Sequence, residues 1–568
     1  MVFQPIRSLP SQINMPIKVK TSLGFSDASD FKVKGSGSTL TDVQCLKVKK
    51  SDGTLATVWQ RGSSLIPVGV DPFILSVSVG NNDTFSIPVK RNGNHWIVDW
   101  GDGTTSRTYR PSDLTHTYTT AGTYHIRIYP FSASAYGWMA NFGTTRGQHW
   151  DAGGNQWLGN TVISDPAVQA NLDKIVGVDG VITPQMVATA ADIAQGKVGN
   201  AVCSHWFYAC RNLTMSNTFT FSGWENITEV GGGFCYCMFY KCSGNAFTMG
   251  AAFNLPQNIQ RIERNGADNL CPDWYQTPAH AFCNSMFRDC SGANFTMNDV
   301  FTLPQTLIMT GAWFCTNMFA RCTGAAFTMG TAFNMPQNIT KLAAPEIDDT
   351  MGHVCESMFS QCSGAAFNMN AVFQLPQGLL KAGLNTFARM FSTCSGAAFN
   401  MNSIFTMPQA ITDTQSGFAN SMFSQCSGAA FTMNSVFNAP QGLGNHVVVN
   451  GTDTSAWTNF MRGMFYGCNK PAFQVNNVFT FPTLVEYIKT VNGQPQTVRQ
   501  INTPSTNPDT NLPDPALRPF YQTFYNVTSQ QTRTATSIIN GNITPAYCHQ
   551  TFSTVFPDYN GINANWRT

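Results

Sequence analysis

The sequence predicts an α+β chain: small β modules at the amino-terminal end, one of them a β-sandwich, followed by a solenoid whose units each supply a short helix and a short strand. Two observations predict it. The first is a series of alternating apolar and polar segments, broken by turns, before about residue 130. The second is a recurring phrase, of which Cys283-Asn-Ser-Met286-Phe287-Arg-Asp-Cys290-Ser-Gly-Ala-Asn-Phe295-Thr-Met297 is one copy. Aligning its second cysteine gives Cys210, Cys242, Cys290, Cys322, Cys362, Cys394, Cys426 and Cys468, at intervals of 32, 48, 32, 40, 32, 32 and 42 residues. A period in this range marks units that stack on their neighbours.

Residues 1–69 read as a small β module for attachment or assembly. Alternation in Phe31-Lys-Val-Lys34 and Val43-Gln-Cys-Leu-Lys-Val-Lys49 predicts strands, and Gly35-Ser-Gly-Ser38 and Ser51-Asp-Gly53 predict turns. The segment from Lys34 to Leu55 resembles short modules of phage tail and fibre proteins. Residues 70–130 give clearer strands at Phe73–Val79, Thr84–Val89, Trp96–Trp100 and Thr123–Tyr129, the pattern of a sandwich.

Within that second module, Val98-Asp-Trp-Gly-Asp-Gly-Thr104 is followed by His116-Thr-Tyr-Thr-Thr-Ala-Gly-Thr-Tyr124. The pair resembles the polycystic-kidney-disease (PKD) domain, an immunoglobulin-like (Ig-like) β-sandwich, over about 60 residues. The resemblance implies a non-catalytic spacer or binding module and a His116 that packs or bonds inside it. Asp99 and Asp102 have the chemistry of calcium ligands, but two carboxylates are few for such a site. The alternative is that Asp102 caps its own turn.

Residues 131–200 connect this module to the array. Their segment Pro184-Gln-Met-Val-Ala-Thr-Ala-Ala-Asp-Ile-Ala194 has helical composition and suits an entry cap, because a terminal unit must cover its neighbour's apolar face. The array spans residues 201–483 and holds eight units. In each, Cys-x-x-Met-Phe-x-x-Cys places apolar side chains at i, i+3, i+4 and i+7, which predicts a helix of about two turns. Ser-Gly, as in Ser291-Gly292, ends it, and Phe-Thr-Met, as in Phe327–Met329, alternates as a strand does. The expected core is Cys242, Phe287, Cys290, Phe319, Cys322, Phe359, Cys362, Phe391, Cys394, Phe423, Cys426, Phe465 and Cys468. Residues 484–518 are polar, as in a linker or insertion, and 519–568 carry two faded units that suit an exit cap.

The run Ser357-Met-Phe-Ser-Gln-Cys-Ser-Gly-Ala-Ala-Phe-Asn-Met-Asn-Ala-Val-Phe373 resembles the BspA-like leucine-rich repeat of bacterial surface proteins. The likeness covers about half the chain, and a PKD-like module ahead of it resembles that family's architecture. It implies a leucine-rich-repeat-like α/β solenoid. Phe and Met stand where the family's strand has Leu, and Pro-Gln closes the unit, which puts inherited ligand preferences in doubt.

There are seventeen cysteines, an odd number. Five units carry Cys-x6-Cys, and units six to eight have Phe387, Ala419 and Met461 in the first place. On a helix, residues seven apart are roughly 10.5 Å apart, too far for a disulfide within the pair. Apolar replacement favours buried free thiols acting as small hydrophobes. Disulfides between neighbouring units and metal binding stay open as alternatives.

The formal net charge is +2 and only 11% of residues are charged, against roughly 25% in a typical domain. No nucleic-acid partner is expected without a basic face. No run of about 18 apolar residues suggests a membrane span, and the first residues lack the apolar segment of a secretory signal. That predicts a mature form or a protein outside that route.

The nine histidines, at 95, 116, 125, 149, 205, 280, 353, 446 and 549, form no catalytic or metal motif. Cys203 with His205 is weighed as a nucleophile pair and set aside because near neighbours on a helix face apart. Asp348 and Asp349 are adjacent and so give no sign of an acid/base couple. No cofactor is expected. Insertions at 261–277, 343–352 and 442–456 break the rhythm, and in solenoids such excursions often bind. Trp274, Tyr275 and Trp457 are the candidate contact residues, with edge covering as the alternative role.

The expected function is a non-enzymatic attachment protein on a virion, as a fibre, receptor-binding or decoration protein. Its partners would be other virion or surface proteins through the amino-terminal module and a host-surface glycan or protein receptor, with homo-oligomerisation open. The alternative is an extracellular adhesin on a bacterial cell surface.

Overall fold

In the computed structural model, the segments whose apolar spacing predicts short helices are turn ribbons instead. The structure describes the bulk of residues 70–144, 165–263, 281–342, 352–440 and 461–473, with isolated strands elsewhere. The chain is β-rich α+β, with strands throughout and three short α-helices, all before residue 200, among the described residues. It divides into two compact units, 1–87 with 91–138, and 88–90 with 139–568.

The first unit contains antiparallel hairpins such as Cys45–Lys49 with Leu55–Gln60, then an antiparallel sheet in the order Thr105–Thr108, Trp96–Asp99, Gly122–Pro130, Phe73–Val79. A two-stranded sheet pairs Thr115–Tyr118 with Asp83–Ser86. Alternation decides which side chains are buried: Phe73, Leu75 and Val77 are fully inside, while Ile74 and Ser76 are half-buried. Trp96, Trp100 and Tyr118 complete this core.

The second unit begins its repeats with a cap. Helix Pro166–Asp173 starts at Asp165, whose carboxylate accepts from the Ala167 N–H at 2.9 Å. The helix expected from Pro184 to Ala194 is two, Pro184–Val187 and Ala190–Ala194, because Ala188 is extended and Thr189 starts a new helix with a capping box to Asp192. Strands Val181–Ile182 and Lys197–Val198 pair in parallel with Thr220–Phe221 and Glu229–Gly231, so these residues join the first repeats edge to edge.

Each repeat follows one plan. In Cys283–Cys290 the N–H groups of Met286, Arg288 and Cys290 bond three residues back, to Cys283, Ser285 and Phe287. Those of Ser285, Phe287 and Asp289 bond sideways to Thr316, Met318 and Ala320 of the next unit. Unit 315–322 repeats the scheme toward Glu356, Met358 and Ser360. An α-helix cannot do this, since it uses every interior N–H internally. The ribbon needs left-handed residues at intervals: Cys283, Ser285 and Asp289 have φ of 52, 54 and 62°. Such conformations cost non-glycine residues of order 1–3 kcal/mol each and persist where surrounding bonds over-determine them.

The strand expected at Phe-Thr-Met is also displaced. The parallel ladder runs after the Pro-Gln, through Met309–Thr310, Lys341–Leu342, Lys381–Ala382 and Asp413–Thr414. Phe-Thr-Met stays irregular but bonded across units, as in Met297 N–H to Thr328 O at 3.1 Å.

Rings stack between units. Phe207, Phe239, Phe287, Phe319, Phe359, Phe391, Phe423 and Phe465 form one column with centroids 5.2–5.6 Å apart and planes within 8°. Phe253, Phe301, Phe333, Phe373, Phe405 and Phe437 form a second, at 5.9–6.2 Å. The columns meet edge to face, as Phe287 meets Phe301 at 5.6 Å and 87°. Each buried Phe or Met contributes roughly 1.5–3 kcal/mol. Polar ladders bind the same units: Gln337 Nε2 donates to Met335 O and to Gln374 O of the next unit, at 2.9 and 3.1 Å.

The Ser-Gly glycines serve close approach rather than helix ending. A Cβ on Gly292 would stand 2.2 Å from Gly244 O, and one on Gly364 2.1 Å from Gly324 O. Neighbouring backbones touch there.

Candidate functional site: the outer face of the turn ribbon

From the second unit to the eighth, the inward ribbon positions are Met, Phe and Cys in every copy: Met238-Phe239 with Cys242, through to Met464-Phe465 with Cys468. All of these are 0% exposed, including the thirteen residues from Cys242 to Cys468 expected as core. The two positions between Phe and Cys vary in type and burial: Lys241, Arg321, Gln361, Thr393 and Gln425 are exposed, Ala320 and Ser424 are buried, and the others are half-buried. The pairs read Tyr240-Lys241, Arg288-Asp289, Ala320-Arg321, Ser360-Gln361, Ser392-Thr393, Ser424-Gln425 and Tyr466-Gly467. The sideways bonds set these residues in rows along the array.

Three local groups lie in or beside these rows. Tyr208 and Tyr240 stack at 4.9 Å, and Lys241 and Arg288 lie over the Tyr240 ring at 5.6 and 5.9 Å. Arg321 Nε bonds Asp289 Oδ1 at 2.9 Å. Farther on, Glu356 accepts from His353 and from Arg389 of the next unit, with Trp313 stacked on His353 at 6.1 Å. Burial alone would raise the Glu356 carboxyl, but the His353 and Arg389 hydrogen bonds outweigh it and hold the group below its ordinary range. Beyond these, Asn420, Ser421, Ser424, Arg462, Gly463 and Tyr466 line a depression of about 280 Å³.

The described cysteines, fourteen in all, are buried free thiols. Burial pushes Cys203, Cys290 and Cys322 well up, so they stay protonated and are poor nucleophiles. Cys203 therefore does not make an activated pair with His205, whose Nδ1 lies 2.7 Å from Ser204 Oγ. Protonated thiols still donate: Cys290, Cys322, Cys362 and Cys394 each bond the Phe carbonyl of the preceding unit at 3.1–3.2 Å.

Among the described residues no group of three or more His, Cys, Asp or Glu is placed to hold a metal ion. At the Gly-rich turn of the first unit, Asp102 accepts from Thr104 N–H and Oγ1 at 3.0 and 2.6 Å and pairs with His116 at 2.7 Å. Burial opposes ionisation of Asp102, yet these bonds lower its pKa overall. Asp99 caps Gly101 N–H and pairs with Arg127. Both carboxylates are thus engaged in their own turn.

Comparisons with protein-family models, curated proteins and solved structures give no match. Trp274, Tyr275 and Trp457, and Asp348 with Asp349, lie outside the described residues. The structure brings together a different set: ribbon residues between Phe and Cys such as Tyr240, Arg288, Asp289 and Arg321, and beside them His353, Glu356 and Arg389. Their signal in the sequence is their variation beside constant neighbours.

Among the described residues no helix is long and apolar enough to cross a membrane.

Proposed function

We propose that this chain is a non-enzymatic attachment protein, exposed on a virion as a fibre, receptor-binding or decoration protein. In this reading the array is a BspA-like leucine-rich-repeat solenoid behind a PKD-like, Ig-like spacer, and its ribbon face meets a host-surface glycan or protein. One observation carries the reading: inward positions repeat Met, Phe and Cys from unit to unit, while the second position after Phe changes through Lys241, Asp289, Arg321, Gln361, Thr393, Gln425 and Gly467. Packing alone demands constancy inside; outward residues that change along the array build a surface with its own pattern.

The thiols support assembly in a reducing compartment. Fourteen buried free cysteines, many stacked on counterparts in the next unit, suit a chain that folds in a host cytoplasm, since export through an oxidising route exposes such thiols to cross-linking before burial. The BspA-like phrasing of the repeats favours the second reading, a bacterial cell-surface adhesin. Mass spectrometry of purified particles separates the two.

The binding reading is tested by presenting the purified chain to host cells and to glycan arrays, with product analysis of any ligand bound. Retention of intact ligand supports it. Absence of any surface binding contradicts it, and a cleaved ligand points to an enzyme.

A further inference from the structure

We propose that the outer face at Trp313 and His353 is a subsite for the hydroxyl groups of a neutral saccharide. The proposal rests on the attachment reading and names the ligand class for it. Two residues ahead of the first ribbon cysteine or its replacement, the second and seventh units carry Gly233 and Gly417, the sixth Asn385, and the fourth and fifth Trp313 and His353. The backbone is left-handed in all five: Gly233 and Gly417 have φ of 78 and 73°, Asn385 50°, and Trp313 and His353 55 and 66°. Glycine takes that conformation freely and asparagine tolerates it, whereas a bulky side chain is strained there. The ribbon bonds impose the conformation on whatever residue stands at this place, so the fold asks for Gly or Asn and not for two rings. Burial is not the reason for them, because Trp313 and His353 both stay half-buried on the outer face. Strained positions kept without a packing reason are where function is to be sought.

The chemistry of the pair defines the occupant. His353 Nδ1–H donates to Glu356 Oε2, which leaves Nε2 as an acceptor. The Trp313 ring stacks on His353 with centroids 6.1 Å apart and planes within 6°, which sets an indole donor and an imidazole acceptor side by side. Among the described residues neither the Trp313 Nε1–H nor the His353 Nε2 has a hydrogen-bond partner. A hydroxyl group gives and takes a hydrogen bond at one oxygen, so neighbouring hydroxyls of a sugar match such a donor and acceptor. The ligand is neutral, because the Glu356 carboxylate is already matched by Arg389 of the next unit and the surroundings favour neither sign. That carboxylate also holds the imidazole: one oxygen takes His353 and the other Arg389, so the acceptor is fixed before a ligand arrives.

The experiment presents the full chain to an array of neutral glycans ending in glucose, galactose or N-acetylhexosamine, beside sialylated and sulfated forms. Wild type binds neutral forms, and Trp313→Phe, which keeps a ring and removes the N–H, loses about 10-fold. His353→Phe, which keeps a ring and removes the acceptor, loses at least as much. Thermal unfolding of both variants is followed beside binding, and a cooperative transition shows that the array is intact. Full binding by either variant overturns the subsite, and so does binding confined to the acidic forms. A chain that attaches to host cells yet binds no glycan also overturns it and leaves the attachment reading standing. A chain that attaches to nothing overturns both.

Discussion

The Sγ of Cys322 donates a hydrogen bond to the main-chain oxygen of Phe287, 3.2 Å away in the preceding unit. That oxygen already accepts from the Cys290 N–H at 3.1 Å, so the thiol occupies its second lone pair. The same relation recurs from Cys242 to Cys468. It explains why a small donor stands where an aliphatic side chain would otherwise serve.

Replacing Cys322 by Ala is expected to cost about 1–2 kcal/mol, from the lost bond and the small void. Cys322→Ser, which keeps a donor, should lose less. Denaturant titration of both variants checks this. Ser falling below Ala would mean that the thiol acts as a hydrophobe alone.

The glycine column gives a sharper contrast. Gly324→Ala drives a Cβ to 2.1 Å from Gly292 O and must push neighbouring units away from each other, at a cost of about 3 kcal/mol or more. Gly378→Ala, whose nearest atom is Gln337 O at 3.9 Å, should change stability by no more than about 0.5 kcal/mol. Similar melting curves for the two would remove close approach as the reason for the column.

Much of this order was legible in the sequence, and the features that were not share one cause. The α+β class, the unit length and the alignment of Met-Phe-x-x-Cys needed only counting. The helix did not survive because burial at i, i+3, i+4 and i+7 is also what the ribbon from Cys283 to Cys290 gives. Periodicity reports which side chains are inside and is silent on whether an N–H such as that of Ser285 bonds within its unit or to Thr316 beyond it. The strand moved to Lys341–Leu342 for the same reason, since pairing partners lie a whole unit away. Gly292 looked like a helix stop because its clash partner, Gly244 O, is 48 residues earlier. For the candidate site, the insertions carry conspicuous aromatic residues, whereas the ribbon positions carry no motif. Only their alignment over the constant core makes a change such as Asp289 to Arg321 in the next unit visible.

Glu356 sets a pH dependence. Its folded pKa is lowered, so its contribution is complete above the ordinary carboxylate value, about 4.3, and disappears as pH falls through the folded value. Glu356→Gln should therefore be less stable than wild type at neutral pH, by about 1 kcal/mol given the partly exposed Arg389. The gap should close in the acid range. Thermal midpoints from pH 7 to 3 test it, and a gap that widens on acidification would reverse the assignment.

The central claim is that sulfur and ring side chains of successive units form one continuous interior of protonated thiols. Alkylation of the native chain at pH 8, read by peptide mass spectrometry, tests it most directly. The fourteen buried cysteines described between Cys203 and Cys468 should stay unmodified until denaturant is added, and then react together. Modification of Cys290, Cys322 and Cys362 in the native state at the rate of an exposed thiol would contradict it.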